Sequence, residues 1–125
     1  TDNARDEAVF LVFHALGLPF DVDDATLDTP VSADAAAGVE ALVQARIDTR
    51  RPAAYLTGRM WFVGHEFVVN EHVLVPRSPI GELIRARFAP WADAARITRV
   101  LDVGTGSGCI AIATALAMPD CEVDA

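Results

Sequence analysis

The chain has 125 residues, enough for one ordinary domain or a small domain with part of a second. Its 52% apolar content supplies a core, while a formal net charge of −8 speaks against a general nucleic-acid binder. No apolar run approaches membrane-spanning length, and no basic-then-apolar start resembles a signal peptide, so the chain reads as soluble and cytoplasmic.

The charge is uneven. Residues 1–49 carry ten acids against two arginines, residues 50–99 carry eight arginines against four acids, and residues 100–125 carry four acids and no base. Lysine is absent, and the arginine-rich middle is read first as solvated helix and turn surface and second as a face for an RNA-bearing partner. Cys109 and Cys121 lack CxxC spacing and nearby histidines, so they suggest small apolar residues in a reducing compartment, with neither a zinc site nor a disulfide.

Thr1-Asp2-Asn3 supplies N-cap candidates, and Asp6 and Glu7 suit a first helical turn. Val9, Phe10, Val12, Phe13 and Leu16 recur at helical spacing until Gly17 and Pro19 end the helix, and His14 on it reads as structural. Leu18 to Pro30 is acidic and turn-forming, which predicts a surface loop. Ser32 or Asp34 then caps a second helix to about Thr49, with Val39, Leu42, Val43 and Ile47 as its stripe.

Arg50 to Gly58 is a break. Arg59–Val63 and Glu66–Asn70 read as a hairpin around Gly64-His65, and Val73-Leu74-Val75 as a further short strand stopped by Pro76 and Pro79. Ile80, Leu83, Ile84 and Phe88 predict a third amphipathic helix ended by Pro90. An apolar strand follows over Ile97–Val103, then a helix to about Met118, a turn at Pro119-Asp120, and a second strand from Cys121.

The most informative stretch joins that strand to that helix. Asp102 stands near the strand's end, and Gly104, Gly106 and Gly108 follow at alternate positions before the run of helix formers. Such glycines permit positive φ and leave no Cβ between backbone and ligand, while the helix N-terminus presents free N–H groups and a positive dipole. A small anionic or zwitterionic cofactor suits the loop, against the bland alternative of a glycine-rich turn without a ligand. The dinucleotide fingerprint fits poorly, because its third glycine position is occupied by Cys109.

The pattern Asp102-Val103-Gly104-Thr105-Gly106-Ser107-Gly108 resembles the first motif of the S-adenosylmethionine methyltransferases. The resemblance implies cofactor contacts from Asp102, Gly104, Thr105, Gly106, Ser107 and Gly108, with the Asp102 carboxylate on the methionine ammonium and loop amides on its carboxylate. Arg51 to Gly58, Phe62 to Phe67 and Val73 to Arg77, together with Leu101 to Ala111, resemble the HemK-type protein glutamine methyltransferases. Release-factor enzymes of that family continue Pro-Arg-Pro-x-Thr-Glu, whereas this chain has Pro76-Arg77-Ser78-Pro79-Ile80-Gly81-Glu82. In this it is similar to the branch that methylates a glutamine of the large-subunit ribosomal protein L-three.

The resemblance implies an α/β chain with three parts. These are a helical substrate-recognition domain over residues 1–50, a β-hairpin linker over 51–79, and the start of a Rossmann-like S-adenosylmethionine-dependent domain over 80–125. It also implies a ribosomal-protein substrate, no direct DNA binding and no membrane partner, and it leaves the oligomeric state open. The family's ribose-binding acid and its Asn-Pro-Pro-Tyr motif do not occur before Ala125, and Asp124 is a poor substitute for the former, so an inactive N-terminal fragment is expected. No catalytic or metal-binding residue is assigned. His65, His72 and Glu66 read as hairpin surface, and Arg77 and Glu82 either line the cofactor site or lock two domains together. The competing readings are a release-factor enzyme of the same family, a dinucleotide-dependent oxidoreductase, and a non-catalytic interaction module.

Overall fold

A computed structural model describes residues 4–19 and 22–125, so the capping expectation for Thr1–Asn3 lies outside the described residues. The chain divides into two compact units, Thr1–Thr57 and Gly58–Ala125.

The first unit is helical. Helix α1 spans Ala4–Leu16, with Asp6 and Glu7 in its first turn where the dipole favours them. It closes with a Schellman pair, Leu18 N–H donating to Phe13 O at 2.8 Å and Gly17 N–H to His14 O at 3.1 Å. The expected stripe shifts: Leu11 is the buried residue and Val9 is exposed, while Phe10, Val12, Phe13 and Leu16 are half-buried. A broader arc is covered because α1 packs against two later helices, where the sequence reading supplied one.

The expected loop over residues 18–30 contains a single helical turn, α2 (Asp24–Leu27). Asp23 caps it, accepting from Thr26 N at 2.8 Å, and the Thr26 hydroxyl and amide together hold the Asp23 carboxyl below its ordinary pKa. Helix α3 spans Ala33–Thr49 with Ser32 as cap, accepting from Ala35 N, and ends on Arg50 at φ 54°. Ile47, expected in its stripe, is exposed, whereas Val39, Leu42 and Val43 are half-buried. Helix α4 (Ala53–Thr57) occupies the expected break and buries Ala53 and Ala54. Helices α1, α3 and α4 pack on one another. The Glu7 carboxylate on α1 ties all three, accepting from Arg46 Nε on α3 at 3.0 Å and from the Ala53 N–H on α4 at 3.4 Å.

The second unit begins with the hairpin β1 (Arg59–Phe62) and β2 (His65–Val68), antiparallel with Trp61 opposite Glu66 and Phe62 opposite His65. Its two-residue turn puts Val63 at φ 52° and Gly64 at φ 84°. A type I′ turn needs both positive, and Val63, being β-branched, is strained there. The expected strand at Val73–Val75 does not form. His72 N–H turns back to Asn70 Oδ1 at 3.0 Å and Val73 N–H to Asn70 O at 3.2 Å, so the segment coils and leaves Leu74 exposed and Val75 buried.

Helix α5 (Ile80–Arg85) is shorter than its periodicity predicts, because Arg87 and Phe88 both take positive φ and Phe88 N–H closes onto Leu83 O at 2.7 Å. A 3-10 turn over Ala94–Arg96, capped by Asp93, was not foreseen. Strand β3 (Arg99–Leu101) is only three residues of the expected seven, helix α6 (Cys109–Ala117) follows, and β4 (Glu122–Asp124) pairs parallel to β3. Among the described residues β3 pairs with β4 over three positions, Val100 lying opposite Val123. This β3–α6–β4 crossover holds the glycine loop. Beneath it, Phe62, Phe67, Ile84, Cys109 and Ala113 form the buried core, with Val63, Phe88, Ile110 and Ala117 packed around.

Candidate cofactor-binding loop

The loop runs from Asp102 to Gly108, at the carboxyl end of β3 and the amino end of α6. It is braced from within. The Thr105 hydroxyl donates to Asp102 O at 3.0 Å, and Gly108 N–H donates to Thr105 O at 3.0 Å. It is also tied to its neighbour, since Asp102 N–H continues the ladder to Asp124 O at 2.9 Å.

Gly104, Gly106 and Gly108 sit at φ 80°, 59° and 81°, conformations that L side chains rarely adopt. A Cβ at Gly104 would meet no atom within 4 Å, and one at Gly106 only Gly104 O at 3.9 Å, so open space lies over both. Gly108 differs: a Cβ there would meet Ile112 Cδ1 at 3.3 Å. Gly108 is also the left-handed N-cap of α6 and offers no side chain, which leaves the first helical N–H groups without a side-chain partner.

Asp102 carries the decisive polarity. The residue is half-buried, its Oδ2 is buried, and that oxygen has no hydrogen-bond partner. A carboxylate oxygen removed from water without a donor is costly, and a cationic or N–H-bearing group set against it would relieve that cost. Thr105, Ser107 and Gly108 are half-buried beside it, and Gly104 and Gly106 are exposed. The six residues singled out from the sequence are therefore contiguous on one loop.

No protein-family model matches the chain. Curated relatives do. A ribosomal protein uL3 glutamine methyltransferase of Bordetella pertussis is 51% identical over 126 aligned positions, which include 100% of this chain and 42% of the relative. Proteins of the same name from Xanthomonas campestris and Burkholderia pseudomallei are 50% and 48% identical over 98% and 100% of the chain, covering 40% and 41% of their own lengths. At about half identity over nearly its whole length, the chain is homologous to a part of these proteins. It spans about two-fifths of the length of the relatives it matches.

The other residues weighed from the sequence lie outside the 102–108 loop. His14, His65 and His72 are exposed, and Glu66 ion-pairs with Arg59 at 3.0 Å on the hairpin. Arg77 and Glu82 are both exposed. Asp124 is engaged by Arg99 Nη2 at 3.0 Å, and Arg99 Nε also reaches Glu122 at 3.3 Å. Cys109 is buried, whereas Cys121 is half-buried, and both are free thiols. Among the described residues no cluster of His, Cys, Asp or Glu has a metal-ligating arrangement, and no helix is long and apolar enough to cross a membrane.

Sequence reasoning missed one residue of the loop's wall. Ile112 lies four residues after Gly108, one turn into α6, and closes over that glycine. The signal was its position relative to the cap. It also placed Asp102 within a strand, whereas the strand ends at Leu101 and frees Asp102 to turn into the loop.

Proposed function

We propose that this chain supplies the methyl-donor loop and part of the substrate-docking surface of an S-adenosylmethionine-dependent enzyme that N-methylates a glutamine side chain of ribosomal protein uL3. The single observation that carries the donor assignment is the buried, partnerless Oδ2 of Asp102 at the start of a glycine loop that leads into a helix N-terminus. An α-ammonium group satisfies that oxygen, and the uncapped N–H groups at the start of α6 suit the neighbouring α-carboxylate. The names of the curated relatives supply the acceptor. The domain reading follows from the same family: helices of residues 1–50 for substrate recognition, residues 51–79 as linker, and 80–125 as the start of a Rossmann-like domain.

An amide nitrogen is a weak nucleophile because its lone pair is delocalised into the carbonyl. Its methylation rests on holding nitrogen, methyl carbon and leaving sulfur in line. When bound, S-adenosylmethionine supplies an electrophilic sulfonium methyl group. Asp102 orients and neutralises the cofactor's ammonium, Thr105 and Gly108 fix the loop's curvature, and Gly104 and Gly106 keep the approach clear of side chains. None of these residues removes the amide proton.

The test uses the natural protein bearing these residues, titrated with S-adenosylmethionine by calorimetry and assayed with labelled donor. Asp102→Asn is expected to weaken binding by about ten- to a hundredfold, the loss of one charge-assisted hydrogen bond. Gly106→Val is expected to abolish it, since φ 59° excludes a β-branched residue. Unchanged affinity in both variants refutes the loop as the donor site. Label on a release factor, with none on uL3, overturns the acceptor and leaves the donor site intact.

A further inference from the structure

We propose that the Thr105 hydroxyl is a positioning group: it sets the Asp102 carboxylate for the ammonium of the methyl donor and makes no contact with the donor itself. This role rests on the donor reading of the loop and adds to it which side chain holds the charge in place. Thr105 is the joint of two consecutive turns. Its hydroxyl donates to Asp102 O at 3.0 Å across Val103 and Gly104, and its own carbonyl accepts from Gly108 N–H at 3.0 Å across Gly106 and Ser107. One residue therefore ties the carboxylate-bearing position at the start of the loop to the cap of α6 at its end.

The residues beside that joint give it little help. Gly104 and Gly106 flank Thr105 at φ 80° and 59°, exposed and without side chains, and Val103 is 83% exposed. Residue 102 itself has two backbone anchors. Its N–H donates to Asp124 O at 2.9 Å, and its carbonyl accepts from the Thr105 hydroxyl. With both in place the peptide groups on either side of its Cα are fixed, and the carboxylate can move only about its own side-chain torsions. That restraint matters because the buried Oδ2 has no partner and would gain from any backbone shift that brought it to water. Threonine suits the task, since β-branching restricts χ1 and keeps the hydroxyl on its acceptor. A hydroxyl has one proton, and this one is committed to Asp102 O, so none is left for the carboxylate of the donor.

The natural protein bearing these residues is titrated with S-adenosylmethionine by calorimetry, as wild type, Thr105→Val, Thr105→Ser, Asp102→Ala and the double variant Thr105→Val with Asp102→Ala. Circular dichroism checks the folding of each. Thr105→Val is expected to weaken binding about three- to tenfold, because valine keeps the shape and loses the proton. Thr105→Ser keeps the proton and is expected to stay within about twofold of wild type. In the Asp102→Ala background no carboxylate is left to position, and Thr105→Val is expected to cost less than about twofold. A general weakening of the loop, or a direct contact between Thr105 and the donor, would instead add in full to the loss at position 102. The proposal is overturned by wild-type affinity in Thr105→Val, by Thr105→Ser binding as weakly as Thr105→Val, or by a Thr105→Val effect undiminished beside Asp102→Ala. Unchanged affinity in Asp102→Ala refutes the donor reading and the role of Thr105 with it, whereas weakened binding there beside wild-type binding in Thr105→Val refutes the positioning role alone.

Discussion

The Glu7 carboxylate offers a quantitative test of how the helical unit is held. It accepts from Arg46 Nε at 3.0 Å and from the Ala53 amide at 3.4 Å, joining α1, α3 and α4. The side chains of Arg46 and Glu7 retain only 29% and 19% of their exposure, so the pair is partly shielded from solvent. Glu7→Ala removes a charge-assisted bond and leaves a guanidinium and an amide short of partners. That combination is expected to cost about 2 kcal/mol, above the value of an exposed ion pair. Glu7→Gln keeps an acceptor for Ala53 and loses the charge, so about 1 kcal/mol is expected.

The pH dependence separates charge from packing. The hydrogen bond from Arg46, aided by the Ala53 amide, holds the Glu7 carboxyl below its ordinary pKa against the opposing effect of burial. The unfolded chain then takes up the Glu7 proton at higher pH than the folded one. The contribution is full above the ordinary glutamate range, shrinks as pH falls below it, and is gone beneath the depressed folded value. Urea unfolding followed by circular dichroism, at pH 7 and at pH 3, measures it. The difference between wild type and Glu7→Gln is expected to be present at pH 7 and to shrink markedly at pH 3. A Glu7→Ala variant within about 0.5 kcal/mol of wild type at pH 7 refutes the bridging role, and a Gln difference unchanged at pH 3 refutes its electrostatic origin.

Two further predictions concern the second unit. Thr114 is wholly buried and its Oγ1 has no partner, so Thr114→Val is expected to stabilise the protein by about 1 kcal/mol in thermal unfolding, and a loss of stability would show that the hydroxyl is satisfied. Gly81 lies under the hairpin turn, where a Cβ would meet Val63 Cγ2 at 3.2 Å and Phe62 Cε2 at 3.3 Å. Gly81→Ala gains about 1 kcal/mol of helix propensity but crowds a buried ring and a strained turn, and a net loss of about 1 kcal/mol is expected, with a raised melting temperature as the contrary result.

Legibility followed the range of the interactions. The capped α3, the existence of a hairpin (though its turn lies at Val63-Gly64, one residue before the expected Gly64-His65) and the β3–loop–α6–β4 order were readable because caps, turn residues and periodicity act within a few positions. The glycine loop was readable for the same reason, since Asp102, Gly104, Gly106 and Gly108 define their own geometry. What was not readable depended on partners. Leu11, and not Val9, is buried on α1, which packs against both α3 and α4, and nothing in the sequence of α1 itself announces the second partner. Val73–Val75 has strand composition without a strand to pair with, and α5 stops early because Phe88 is drawn back to the core. In the motif Ser78 to Glu82, the sequence marked a subfamily difference, whereas the structure gives Gly81 a packing role against the hairpin.

The unsatisfied oxygen of Asp102 links the stability of the loop to its affinity. Two contacts hold the carboxylate in place without serving it: the Thr105 hydroxyl takes the backbone carbonyl, and Asp124 O takes the backbone N–H. Neither touches Oδ2, so the backbone is fixed while the charge is left waiting. Leaving such an oxygen without a donor costs about 1–3 kcal/mol, a cost that Asp102→Ala would relieve in the free protein. A cationic ligand recovers the same quantity on binding, equivalent to about five- to a hundredfold in affinity. The two effects must therefore have opposite signs: a variant at position 102 that raises stability lowers affinity by a comparable free energy. β4 takes part without approaching the ligand, because it supplies the carbonyl that keeps Asp102 from relaxing toward solvent.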